Sequence, residues 1–253
     1  MLQEQNNIEN DNWDFLRKHT AARIALGHVG ISLPTKSLLE VRLAHAKARD
    51  AVYSELNEEK IKNQLSELGI ETISIKSSSI SRNEYLKNPN TGKILDEDSK
   101  NTLKQSLSNL DLCFVIADGL SAKAVNDHAT EVITILHSKL KKLKWSIAPI
   151  ILAKQARVAL SDEIGSLLKA EIIIMLIGER PGLSASDSMG AYITYRPVLG
   201  LTDERRNCVS NIRPEGLIYH FAAEKLFYLL TEMKTKKISG IHLKDRQDGL
   251  FLG

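Results

Sequence analysis

Cysteine is scarce in this sequence, with only Cys113 and Cys208 among 253 residues. The two lie far apart and form no CxxC or Cys/His spacing, so the chain shows neither a disulfide framework nor a zinc-ligand pattern. A protein without structural disulfides is typical of a reducing compartment, and we therefore expect a cytoplasmic location.

Long apolar runs and a strong charge of one sign are also absent. No run approaches the roughly 20 apolar residues that a membrane-spanning helix needs, and the N-terminal stretch lacks the basic and apolar regions of a secretory signal. The formal net charge of +3 is small for this length, and it gives no reason to expect nucleic acid as a partner. We expect a protein that binds neither membranes nor nucleic acid.

The common catalytic and nucleotide-binding motifs are missing as well. The sequence contains no G-x-G-x-x-G after a strand, no GxxxxGK[ST] phosphate loop and no G-x-S-x-G elbow. Its seven histidines form no HxxxH or HxH ligand pair. His128 falls within a predicted helix, and we interpret it as a surface or packing residue. Taken alone, the residues indicate an α/β ligand-binding protein with no visible catalytic machinery.

The N-terminal part is predicted to be mainly helical. Residues 1–12 are polar and form a predicted flexible tail, and residues 13–108 form the helical region. The capping-box spacing of Ser37 and Glu40 predicts a helix start, and further helices are expected over residues 58–68 and 96–107. Alternating apolar residues predict one strand, over residues 70–76.

The pattern changes in the C-terminal part, residues 109–253. Continuous apolar runs over residues 112–117, 147–153 and 172–177 are typical of buried strands, and amphipathic helices separate them. This βαβαβ pattern predicts an α/β fold with a Rossmann-like, mostly parallel sheet. After a β-rich piece over residues 191–195, a loop is predicted over residues 205–216, a helix over 217–233 and a short strand over 238–243.

The candidate site lies where the buried strands end. In an open α/β sheet, ligands bind beyond the carboxyl ends of the strands. Loops at residues 117–121, around Val158 and at residues 178–182 should meet there, and residues 207–211 could close over them. Glu179 is either a hydrogen-bond acceptor for a ligand or one half of a salt bridge to Arg180 or Arg196. Val158 would ordinarily be a core residue.

Cys208 also has a structural and a functional interpretation. A buried, inert thiol is the commonest fate of a free cysteine, and contact with a ligand is the functional interpretation.

Seven stretches, taken in order, resemble the small (light) subunit of ethanolamine ammonia-lyase. They are TAARIALG (20–27), SLPT (32–35), LAHAKARDAV (43–52), IADGLSA (116–122), RVALSDEIG (157–165), IGERPGL (177–183) and RNCVSNIRPEG (206–216). Departures are minor: His28 and Ser161 stand where that family often has Arg and Gly.

The resemblance implies a function that the residues alone do not give. Enzymes of this family convert ethanolamine to acetaldehyde and ammonia with adenosylcobalamin. A large subunit carries the catalytic residues, and the small subunit packs against it and covers the cofactor. Val158, Glu179 and Cys208 match the family's cobalamin contacts. The resemblance assigns no catalytic residue and no metal ligand to this chain.

The resemblance also implies that cobalamin keeps its own base on cobalt. Asp127-His128 indeed lacks the glycine of the D-x-H-x-x-G motif found in base-off proteins. The family's setting suggests a location inside a bacterial microcompartment and raises the question whether the N-terminal tail targets it. Two alternatives stay open: a stand-alone Rossmann-like module for a nucleotide or adenosyl ligand, and a purely structural partner subunit.

Overall fold

A computed structural model describes residues 8–106 and 108–246 of the chain. Most of the predicted tail, the helix end predicted at residue 107 and the C-terminal residues 247–253 lie outside the described residues. The described strands are β1 (Thr72–Lys76), β2 (Leu112–Ala117), β3 (Ile150–Lys154), β4 (Ile172–Gly178), β5 (Met189–Tyr195) and β6 (Arg206–Ile212). The described α-helices are α1 (Thr35–Tyr53), α2 (Glu58–Glu67), α3 (Arg82–Lys87), α4 (Glu97–Lys104), α5 (Ala122–Leu140), α6 (Leu160–Leu167) and α7 (Tyr219–Lys236).

The six strands form one sheet in the order β1-β3-β2-β4-β5-β6. The first four strands of that order pair in parallel, whereas β4–β5 and β5–β6 pair antiparallel. The sheet is therefore mixed, which corrects the predicted mostly parallel sheet, and the Rossmann-like label stays a prediction. A parallel pair needs a long crossover connection, and no helix separates β4 from β5 to provide one.

The largest departure from the sequence prediction is β6. Its residues were expected to form a loop, but they form the edge strand beside β5. The strand is hard to recognise because only Arg206, Val209 and Ile212 of its seven residues are buried. The strand predicted over residues 238–243 is also wrong, since a 3₁₀ turn at Gly240–His242 lies there.

The helix predicted to begin near Ser37 is α1, but the predicted capping box is wrong. The helix begins at Thr35 directly after Pro34, and no side chain caps it. Ser121 occupies the N-cap position of α5, but its hydroxyl accepts no hydrogen bond from the helix N–H groups and instead donates to the Ser186 carbonyl.

The N-terminal part contributes to the same sheet as the C-terminal part. Strand β1 pairs in register with β3, from Thr72 opposite Ile150 to Lys76 opposite Lys154. Ile61 and Leu65 of α2 are fully buried in the core that also contains α5 and α7. The division of the chain at residue 108 stays a prediction.

Helices cover the two faces of the sheet unequally. One face packs against the long helices α5 and α7, whereas the other packs against α4 and α6, with Leu160 and Ile164 of α6 in its core. We call the second one the α6 face. At 1.5 Å per residue, α5 is about 28 Å long and α6 only about 12 Å. Within the described residues, no helix combines the length and hydropathy that a membrane span requires.

The position of α6 shows which part of its face is covered. A methyl group added to Gly165 would lie 2.3 Å from Pro197 and 3.4 Å from Ile173, at the amino end of β4. Asp162 pairs with Arg206, the first residue of β6. Strand β4 spans about 23 Å at 3.3 Å per residue, so α6 packs over its amino half. On the same face, towards the edge strand β6, Tyr192 is half-buried and Cys208 is exposed, so this part of the face lies beyond the helix.

Candidate functional site

Glu179 follows the last residue of β4 and is half-buried. Its N–H donates to the Ser188 carbonyl at 2.9 Å, and its Oε2 accepts from the Ser188 hydroxyl and from the Asn211 N–H, the latter at 3.3 Å. Its carboxylate lies over Gly190, where an added Cβ would be 2.9 Å from Oε1. Neutral donors thus fix the carboxylate on the α6 face.

The salt-bridge alternative for Glu179 is wrong. None of the ion pairs formed by the described residues includes it. Arg180 is exposed, and the Arg196 guanidinium lies 5.4 Å from the centre of the Tyr195 ring. The Glu179 charge is therefore not neutralised by either of the arginines that the sequence offered.

Cys208 lies in the middle of β6, directly opposite Tyr192 of β5. It is exposed, so the expectation of a buried thiol is wrong. Partial desolvation raises the pKa of the thiol, hydrogen bonding to Tyr192 opposes this, and the Glu179 carboxylate adds to the increase. The thiol is consequently protonated at neutral pH, which suits apolar contact better than nucleophilic chemistry.

Tyr192 is the residue that sequence reasoning missed. It pairs with Met175 of β4 on one side and with Cys208 on the other, and it packs half-buried against the core of the α6 face. Burial raises the pKa of its hydroxyl, and the neighbouring Cys208 and Glu179 raise it further. The alternation of a strand places Gly190 and Tyr192 on one face, but the sequence does not say which face is open.

Val158 reaches the same face from the turn between β3 and α6. Its side chain is partly buried and packs against the core that Tyr192 also contacts. Its carbonyl accepts from the Ser161 N–H at 3.1 Å and from the Ser161 hydroxyl at 2.7 Å. Glu179 and Cys208 thus meet around Tyr192, and Val158 packs against the same core from the turn before α6.

Two neighbouring groups hold the turn that carries Val158. The Arg157 guanidinium stacks 4.2 Å from the centre of the Tyr85 ring and donates to the Tyr85 carbonyl at 3.0 Å. The buried Asp118 carboxylate accepts from the N–H groups of Gln155 and Ala156, at 2.7 and 3.0 Å. Burial raises the pKa of Asp118, and its hydrogen bonds indicate a structural role that joins β2 to this turn.

His128 lies away from the site, on the opposite side of the sheet. It is buried in α5, and its Nδ1 is 2.8 Å from the hydroxyl of Tyr219 in α7. This position confirms the interpretation as a packing histidine. The α6 face therefore receives no contribution from it.

The different surroundings of the two cysteines give a direct test of the exposed face. We expect iodoacetamide to alkylate Cys208 in the folded chain and to leave Cys113 unmodified until denaturant is added. Cys113 is fully buried, and burial raises its pKa to about 12. Peptide mass spectrometry would measure both sites, and fast labelling of Cys113 in the native protein would contradict the described packing.

Together, these features define a class: a mixed α/β protein with a partly uncovered sheet face and, in the part of the chain that the structure describes, no metal-binding cluster. Within residues 8–106 and 108–246, no group of three or more His, Cys, Asp or Glu side chains could hold a metal ion. The open face is lined by a neutral thiol, a phenol, a valine and one carboxylate. Such a surface can bind a ligand by shape and hydrogen bonding.

The chain belongs to the ethanolamine ammonia-lyase light-chain family. The family model described as "Ethanolamine ammonia-lyase light chain (EutC)" matches residues 10–244. A protein of Pseudomonas fluorescens strain Pf0-1, named ethanolamine ammonia-lyase small subunit, is 47% identical over 237 residues, which cover 92% of this chain and 86% of the relative. A protein of the same name from Pseudomonas putida strain F1 is 47% identical over 240 residues, covering 93% and 88%. These similarities confirm the resemblance seen in the sequence.

Proposed function

We propose that this chain is the small subunit of an adenosylcobalamin-dependent ethanolamine ammonia-lyase and forms one wall of the cobalamin site. The enzyme would deaminate ethanolamine to acetaldehyde and ammonia. The observation that carries the proposal is the uncovered part of the α6 face, where Glu179 and Cys208 lie together. These are two of the three residues that the family resemblance assigns to the cofactor.

The surface fits the chemistry of a corrin. Cobalamin presents a wide apolar ring with amide side chains on its rim, and a protein binds such a group mainly by shape. Gly190 keeps the surface thin beneath the Glu179 carboxylate. The protonated Cys208 thiol and the Val158 side chain offer apolar contact.

Glu179 would accept hydrogen bonds from the amide groups of the rim. Its carboxylate is already oriented by Ser188 and Asn211, so little conformational freedom is lost when the ligand binds. Among the described residues, no arginine or lysine pairs with Glu179, so its charge is available for these donors. Hydrogen bonds to a charged acceptor are the stronger kind.

The cofactor itself would supply the radical chemistry, with its own base on cobalt. This chain's part would be to contact the ring system and to exclude water from one side of it. The catalytic residues would belong to a large subunit, whose existence the name "small subunit" of the relatives implies. Activity from the small subunit alone is therefore not expected. The cytoplasmic location and the association with a microcompartment stay predictions.

Replacing Glu179 by Gln tests the site. In the complex assembled with the large subunit, we expect the Kd for cyanocobalamin, measured by visible absorbance titration, to rise about tenfold. The reason is that a charged hydrogen bond contributes about 1.5–3 kcal/mol, and 1.4 kcal/mol corresponds to a tenfold change. The matched control is Glu67→Gln, an exposed residue at the end of α2, which should leave the Kd unchanged.

The outcomes separate the three functional hypotheses. An unchanged Kd for Glu179→Gln would favour a purely structural subunit. A melting temperature of the isolated chain that rises with ATP but not with cobalamin would favour a stand-alone nucleotide module. Full ethanolamine turnover by the large subunit without this chain would overturn the proposal.

A further inference from the structure

We infer that Tyr192 is a further cofactor-contacting residue and forms the floor of the site between Glu179 and Cys208. The inference rests on the proposed function and adds a residue that the family resemblance did not supply. In this inference, the flat phenol ring of Tyr192 contacts the flat apolar ring system of cobalamin, and the Tyr192 hydroxyl contributes a hydrogen bond.

The position of Tyr192 in the sheet is the first argument. Its partners across the two strand pairs are Met175 of β4 and Cys208 of β6. Residues directly opposite each other in a sheet point to the same face. The Tyr192 ring therefore shares its face with the Cys208 thiol, and the Glu179 carboxylate lies over Gly190, two residues earlier on the same face.

The lack of cover over Tyr192 is the second argument. The contacts of α6 with Ile173, Pro197 and Arg206 all lie one step or more towards the amino end of β4. Tyr192 is consequently only half-buried, although it lies in a strand whose other six residues are buried. Strand β5 pairs antiparallel on both sides, and antiparallel strands can leave one face uncovered, so the half-buried tyrosine at its centre is available to a ligand.

The chemistry of the surroundings is the third argument. An aromatic ring contributes a large, rigid contact area at little cost in conformational entropy, and its polar end finds a hydrogen-bond partner when it is covered. The raised pKa keeps the Tyr192 hydroxyl neutral at physiological pH. A neutral ring beside a neutral thiol favours a broad apolar ligand, and the single carboxylate at the edge favours one with amide donors.

Two substitutions separate the contribution of the ring from that of the hydroxyl. Tyr192→Leu keeps an apolar side chain but removes the flat ring, and Tyr192→Phe removes only the hydroxyl. In the assembled complex, we expect the Kd for cyanocobalamin to rise at least tenfold for Tyr192→Leu and about two- to threefold for Tyr192→Phe. The control is Tyr195→Phe, since Tyr195 packs into the opposite core and its hydroxyl contacts Glu171.

Hydroxyl-radical footprinting of the unaltered complex gives an independent test that does not depend on the variants folding. We expect saturating cyanocobalamin to reduce oxidation of both Tyr192 and Cys208 at least threefold, read by mass spectrometry. Oxidation of Tyr53, which is 55% exposed at the end of α1, should not change on addition of the cofactor. Unchanged oxidation of Tyr192, or an unchanged Kd for Tyr192→Leu, would overturn the inference.

The experiments distinguish a failure of this inference from a failure of the proposed function. If Glu179→Gln weakens cobalamin binding and Tyr192→Leu does not, the site is real and Tyr192 is only a packing residue. If the large subunit binds cobalamin equally well with and without this chain, the proposed function itself fails.

Discussion

Replacement of Asp162 by Ala is expected to lower the free energy of unfolding by about 3–5 kcal/mol, because it leaves a buried guanidinium without its counter-charge. Asp162 and Arg206 form a two-pronged pair, with Nη1–Oδ1 and Nη2–Oδ2 distances of 2.6 and 2.7 Å. Their side chains are only 2% and 1% exposed. Burial lowers the pKa of Arg206, but the hydrogen bonds and charge of Asp162 outweigh it and the pKa is raised, so the guanidinium stays charged.

Asp203 provides the matched control for this prediction. It contacts the same guanidinium, with an Oδ1–Nε distance of 3.3 Å, but its side chain is 94% exposed. Ion pairs with an exposed partner contribute roughly 0–1 kcal/mol to stability. Asp203→Ala should therefore lower the free energy of unfolding by at most about 1 kcal/mol. Urea unfolding followed by circular dichroism would measure both. Equal losses for the two variants would contradict the role assigned to the buried pair.

The Asp162 pair also has a functional consequence. It joins α6 to the first residue of β6, and the position of α6 determines which part of the sheet face is left open. We therefore expect the destabilised variant to bind cobalamin more weakly in the assembled complex, even at temperatures where it remains folded. The salt bridge would act on the site by fixing the distance between these two elements.

Replacement of Gly178 by Ala is the second change with a large expected effect. A Cβ at this position would lie 1.9 Å from the Ser121 carbonyl oxygen and 2.6 Å from that of Asp118. Both are backbone atoms in a loop that is tied to β4 by the Leu120 N–H, which donates to the Gly178 carbonyl at 3.0 Å. Because neither this loop nor β4 can move freely, we expect the free energy of unfolding to fall by about 3 kcal/mol. This is the upper end of the usual cost of overpacking.

Gly182, in the loop that follows β4, provides the control for Gly178. An added Cβ there meets nothing closer than 3.8 Å, so Gly182→Ala should change the unfolding free energy by less than about 0.5 kcal/mol. Thermal unfolding of the two variants would give the comparison. A wild-type melting temperature for Gly178→Ala would show that the loop at residues 118–121 can retreat from β4.

Local sequence information was sufficient where the burial of an element is uniform. The run at residues 112–117 was predicted as a buried strand and is observed as β2, buried at all six positions. The apolar stripe of α5 likewise predicted a helix that packs on the core. Both patterns can be recognised in neighbouring residues. A strand buried on both faces is a continuous apolar run, and a helix buried on one face has apolar residues every three or four positions.

Local information was insufficient at the antiparallel end of the sheet. The residues of β6 alternate poorly because the strand lies at an edge, where only one side is paired and few positions are buried. The exposure of Cys208 and the openness of Tyr192 depend on where α6 packs on the sheet, which no local pattern contains. Glu179 could be proposed from the end of its strand. The sheet-edge argument also pointed to the segments that carry Val158 and Cys208, but only the resemblance assigned these two residues to the cofactor.

The sequence by itself therefore determined the buried strands and the long helices, the family to which the chain belongs, and Glu179 at the end of β4. Only the tertiary structure decided that the sheet is mixed, that β6 completes it, and that Tyr192 lies open between Glu179 and Cys208. The physical reason is that burial within one element follows from its own residues, whereas exposure of a face depends on the length and position of a helix from another part of the chain.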